Sequence, residues 1–105
     1  MERELNEQAM KIILHVGDAR QSIAEASKSI SQQQYNLAQE ELLLAKKELQ
    51  IANHSQMKIL QKERNGEKLP YSYLFNHAQA LLISITSEWN ITNQLIKIMT
   101  NLNRL

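Results

Sequence analysis

Residues 5–30, LNEQAMKIILHVGDARQSIAEASKSI, place Leu5, Ala9, Ile12, Val16, Ala19, Ile23, Ala26 and Ile30 at alternating spacings of four and three. This is the heptad rhythm of one helix face packed along its whole length, because a step of 3.5 residues returns the chain to nearly the same side of the cylinder. It predicts a first helix over residues 3–31. The rhythm resumes after the break at Gln32-Gln33-Gln34, in Ala38, Leu42, Ala45, Leu49, Ala52, Gln56 and Ile59, and runs to Asn65-Gly66. Gly66 suits the left-handed residue that ends a helix, so a second helix is predicted over 35–65. Pro70 reads as the first turn of a third helix over 70–103, where its missing amide hydrogen costs nothing. There Leu74, His77, Leu81, Ser84, Glu88, Ile91, Leu95, Ile98 and Leu102 continue the series.

Three helices of about 30 residues are each about 45 Å long at 1.5 Å per residue, and their connections are short, so neighbours run antiparallel. Residues 1–105 read as a single all-α domain, an up-down-up three-helix bundle. Two Gly, one Pro and no Cys in 105 residues leave room for little but helix. The lack of Cys also excludes disulfides, thiolate metal sites and a cysteine nucleophile. Twelve basic residues against eleven acidic ones give a formal charge of +1, and aromatics are 5% of the chain, a composition that disfavours nucleic-acid binding. The start Met1-Glu2-Arg3-Glu4 carries acids and no continuous apolar block, unlike a secretory signal. No stretch approaches the roughly 18 apolar residues of a membrane span. The expectation is a cytoplasmic protein with no direct membrane insertion.

Charge is unevenly distributed. Residues 69–105 hold only Glu88, Lys97 and Arg104, whereas residues 1–68 hold the other 20 of 23 charges. Helix 3 carries a second apolar series, Phe75, Ala78, Leu82, Ile85, Trp89, Ile96 and Met99, beside the first. A helix apolar on two sides needs more cover than two partners provide, which predicts self-association through helix 3. Ser84 and Glu88 in the first series suit a wet or symmetric interface better than a monomer core.

Candidate nucleophiles are His15, His54 and His77, since an imidazole with a reference pKa of about 6.5 is partly neutral and nucleophilic at pH 7. His15 and His54 sit in ordinary amphipathic turns and read as solvated or hydrogen-bonded structural residues, with no two-histidine i,i+4 metal spacing between them. His77 opens the least charged helix; by pattern it reads either as a seam residue or as a reactive one.

The segment Leu74-Phe75-Asn76-His77-Ala78-Gln79-Ala80-Leu81-Leu82 resembles the active-site segment of the lactose/cellobiose-type enzyme IIA proteins of the bacterial sugar phosphotransferase system, an apolar run followed by His-Ala-Gln-Asp-His-Leu-Met. Further blocks agree in order and spacing: Gly17-Asp18-Ala19-Arg20 with Glu25-Ala26, the run Ala38 to Ala52 with Gln56, and Gly66-Glu67-Lys68. The resemblance covers essentially the whole chain. It implies a homotrimer of three-helix subunits in which a histidine accepts a phosphoryl group from the phosphocarrier HPr. That histidine then passes it to a cysteine of enzyme IIB, for a lactose-, cellobiose- or chitobiose-type sugar entering through the membrane component IIC.

His77 matches the phosphoacceptor, and Gln79 the motif glutamine, which the resemblance places near the phosphoryl group as a hydrogen-bond donor. No cofactor is implied. Ala80 stands at the motif's Asp and Leu81 at its second His. The family's aspartate is associated with a metal ion near the trimer axis, and Ala80 offers no ligand atom, so no metal is expected there. The rival reading is a structural or regulatory three-helix adaptor without a transport role.

Overall fold

Burial of one stripe on the first helix organises the bundle. The computed structural model describes residues 2–103; Met1, Arg104 and Leu105, at the ends of the expected 1–105 unit, lie outside the described residues. The helices are α1 (Glu2–Ser31), α2 (Tyr35–Arg64) and α3 (Tyr73–Asn103), packed into a rod of 56 × 20 × 17 Å. All eight residues of the first series, Leu5 to Ile30, are buried. Ala9, Ala19 and Ala26 of α1 and Ala38, Ala45 and Ala52 of α2 are fully enclosed, and such small side chains let two helix backbones approach closely. Accordingly α1 packs most extensively against α2, then against α3, while α2 and α3 meet least. The central helix is therefore α1, with ten buried residues against seven in α2 and six in α3.

Both helix exits use the same hydrogen-bond closure. At the end of α2, Gly66 has φ 95°, its N–H donates to the Glu63 carbonyl (3.0 Å), and the Glu67 N–H donates to that of Lys62 (3.1 Å). This is the Schellman closure expected of the glycine. At the end of α1 the Gln33 N–H donates to the Ile30 carbonyl (3.0 Å) and the Gln34 N–H to that of Ser29 (2.9 Å). Here a glutamine, Gln33, takes the left-handed conformation at φ 61°.

Three expectations are corrected. The third helix begins at Tyr73 and not at Pro70, because the Ser72 hydroxyl accepts the Phe75 N–H at 3.0 Å and so caps the helix, leaving Pro70 in the connection. In α2, Ser55 is buried while Gln56 is only half-buried; both fit a three-and-four rhythm, and the small hydroxyl is cheaper to enclose than the long amide. In α3, the inward stripe is the second series. Phe75, Ala78, Leu82, Ile85 and Ile96 are buried, and Thr92 fills the gap between Trp89 and Ile96 with its hydroxyl donating to the Glu88 carbonyl at 2.8 Å. Trp89 is half-buried, donates its Nε1–H to the Leu42 carbonyl at 2.7 Å, and has the Lys46 ammonium 5.3 Å from its ring centre. The series that includes His77 faces outward.

A Lys62–Glu4 ion pair ties the end of α2 to the start of α1. The hydrogen bond from Lys62 holds the Glu4 carboxyl below its ordinary value of 4.5. The pair therefore stabilises the fold in full above that value, and its contribution disappears as pH falls through the lower folded value.

Ile12→Ala should cost about 2–5 kcal/mol in denaturant unfolding, and Ala45→Leu about 1–3 kcal/mol by overpacking the α1/α2 contact. Gln33→Gly should raise stability by roughly 1 kcal/mol, because glycine occupies the left-handed region without the Cβ clash. The difference in Tm between wild type and Glu4→Gln should close as pH falls below 4.5 and shrink in about 1 M salt.

Candidate functional site

The outer stripe of α3 is an exposed apolar surface of the bundle. Ile91, Leu95, Ile98 and Leu102 are 64%, 42%, 55% and 57% exposed, and His77 and Ala80 belong to the same stripe near the start of the helix. Packing α1 and α2 on one side of α3 leaves this apolar surface without cover.

His77 lies in the second turn of α3, exposed on an open helix surface, with no side-chain hydrogen bond among the described residues. Tyr73, 76% exposed, stands one turn before it on the same side, and half-buried Leu81 one turn after. The first turn of α3 has no acidic residue, so nothing offsets the positive end of the helix macrodipole close to His77. This setting suits an imidazole that gains negative charge when modified. Among the described residues no base is hydrogen-bonded to the ring, and the surface around it is open to a large reacting partner.

Gln79 faces the other way. Residues two apart on a helix lie about 200° apart around its axis, and Gln79 turns toward α2. It lines a recess of about 240 Å³ with Leu5, Glu63, Pro70 and Asn76. One chain does not bring His77 and Gln79 together.

The other histidines differ from His77. His54 is exposed on α2. His15 is half-buried, and its Nδ1 is hydrogen-bonded to Glu48 Oε2 at 2.6 Å, across the α1/α2 boundary, with Asp18 beside it. Ala80 is exposed and presents only a methyl group, so the residue present does not fit the axial ion that the resemblance implies. Among the described residues, the histidine–carboxylate cluster with donor atoms close enough for one ion is that of His15, Asp18 and Glu48, on α1 and α2.

Sequence reasoning passed over Tyr73, whose signal was its i−4 spacing from His77, and Ser72, whose signal was a Ser three residues before Phe75. It passed over Glu48 as a partner of His15 because 33 residues separate them in sequence. Among the described residues no helix is long and apolar enough to cross a membrane.

The family described as the lactose/cellobiose-specific IIA subunit of the PTS system matches residues 7–100. Among solved structures, PtcA from S. mutans is 27% identical, with a TM-score of 0.93 over 95% of this chain and 98% of that one. The PTS cellobiose-specific enzyme IIA from Bacillus anthracis is 28% identical, with a TM-score of 0.86 over 93% of this chain and 90% of that one. No curated protein sequence matches significantly. With nearly the whole chain matched and all three helices shared with these structures, the chain belongs to the lactose/cellobiose-specific IIA family of the phosphotransferase system.

Proposed function

We propose that the chain relays a phosphoryl group in the cytoplasm through His77, taking it from phospho-HPr and passing it to a cysteine of the cognate enzyme IIB, which serves the membrane component IIC. The single observation that carries this is an exposed, uncommitted imidazole at the position of the family's phosphoacceptor. Each step breaks one bond to phosphorus as it forms another, from the donor's nitrogen to a His77 nitrogen and then to the acceptor's sulfur. Such transfers depend on positioning and charge stabilisation and need no nucleotide loop. An open helix surface admits a protein donor and then a protein acceptor.

The working form is a homotrimer assembled on the outer stripe of α3. With Ala80, Ile91 and Ile98 turned toward a threefold axis, His77 lies on one flank of the stripe and Asn76 and Gln79 toward the opposite flank. The Gln79 amide of a neighbouring copy then approaches the phosphoryl group on His77. This arrangement supplies the hydrogen bond that a single chain does not make.

Incubation with phosphoenolpyruvate, enzyme I and HPr should place one acid-labile phosphate on each chain, and His77→Ala should abolish it. Because His77 is exposed, His77→Ala should melt within about 0.5 kcal/mol of wild type, separating lost chemistry from lost fold. Label that persists in this variant would refute the assignment. Gln79→Ala should slow transfer by about 1.5–3 kcal/mol in the barrier without abolishing it, the worth of one hydrogen bond to a charged group. Sedimentation equilibrium should give three times 12.2 kDa. Ile91→Asp, about 21 Å along the helix from His77, should shift the protein toward monomer.

A further inference from the structure

We infer that His15, Asp18 and Glu48 form a binding site for one divalent first-row transition ion, of the Zn²⁺ class, on each chain. His15 and Asp18 are three residues apart and project from the same side of α1, while Glu48 arrives from the antiparallel α2. One nitrogen and two carboxylate oxygens from these residues lie within 4.8 Å of one another. Ligands about 2.0–2.2 Å from a common tetrahedral ion are separated by roughly 3.4 Å, so rotamer changes of these side chains, Asp18 being the exposed one, are needed to bring the three donors onto one centre.

Charge supports a cation here. Two carboxylates meet a single imidazole, and among the described residues neither Asp18 nor Glu48 forms an ion pair with a lysine or arginine; the pairs present are Arg3–Glu7, Lys62–Glu4 and His15–Glu48. Two carboxylates on one imidazole form a donor set that a divalent cation neutralises. The side chains of His15 and Glu48 are only 25% and 30% exposed, which lowers the dielectric around the ion and restricts both ligands. Asp18 is exposed and leaves a side open on which water completes the coordination.

The existing His15–Glu48 contact prepares the site. In the ion-free chain His15 Nδ1 and Glu48 Oε2 are joined by a hydrogen bond of 2.6 Å. On binding, the ion takes the place of the proton in that bond, which leaves for Nε2 or for water, and Nδ1 and the carboxylate oxygen become ligands. A mixed nitrogen and oxygen donor set of this kind favours Zn²⁺, Co²⁺ or Ni²⁺ over Mg²⁺ and Ca²⁺, which prefer oxygen alone. Because the ligands come from α1 and α2, the ion clamps those helices together. The site uses no residue of α3 and is independent of His77.

The test uses the full chain without a histidine tag, stripped with EDTA and titrated with Zn²⁺ by calorimetry and with Co²⁺ by visible absorption. The expected result is one ion per chain, a Co²⁺ ligand-field band, and a rise in Tm with Zn²⁺ that equal Mg²⁺ does not produce. Asp18→Asn, at an exposed position, should preserve the fold and weaken Zn²⁺ binding by more than about tenfold, and Glu48→Gln should do the same. His54→Ala and His77→Ala should bind as wild type. Absence of stoichiometric binding, full affinity in Asp18→Asn and Glu48→Gln, an equal response to Mg²⁺, or binding lost with His54 or His77 would each overturn the inference.

Discussion

Burial of the α1 stripe is the constraint on which the rest of the structure depends. Its large residues, Leu5, Ile12, Val16, Ile23 and Ile30, are buried in the core, and its alanines Ala9, Ala19 and Ala26 are fully enclosed, as are Ala38, Ala45 and Ala52 of α2. A small-residue contact of this kind permits one antiparallel register and resists lateral sliding, because every shift drives a larger side chain into an alanine position. The third helix then has one place left, against α1 and the edge of α2, and presents only part of its apolar surface to them.

Polar contacts mark the α1/α2 boundary along the length of the rod. Lys62–Glu4 lies near one end, His15–Glu48 in the middle and the Ser29 hydroxyl donating to Glu41 at 2.7 Å near the other. Each pairs a residue of α1 with one of α2. The middle contact differs from the other two in gathering a third charged side chain, Asp18, and so has chemistry that a simple tie lacks.

The proposed phosphoacceptor, His77, lies on α3, the helix that contributes the fewest residues to the core. An exposed histidine on a rigid helix gives a nucleophile of fixed position, and the small charge content of α3 keeps the surface around it apolar. Ala80 is exposed on the outward side of α3, and the Ser72 cap at the helix start does not involve it. What Ala80 changes is the upper part of the stripe beside His77, where an unneutralised carboxylate would be costly if three copies converged.

The number of helices, their antiparallel order and the buried stripes of α1 and most of α2 were legible in the sequence, because a sustained three-and-four rhythm allows one backbone geometry and one inward side. Gly66 was legible for the same reason, as a residue whose conformational freedom the turn requires. The candidate site was legible only as the motif around His77. Which of two adjacent apolar series on α3 faced inward was decided by tertiary packing, since both satisfy the helical period and only contact with α1 and α2 distinguishes them. The start of α3 was decided by Ser72, whose hydroxyl competes successfully with Pro70 for the helix boundary. The separation of Gln79 from His77 and the convergence of Asp18 and Glu48 on His15 also belong to the tertiary structure: the first depends on which side of α3 faces α2, and the second on a register between helices that local periodicity does not encode.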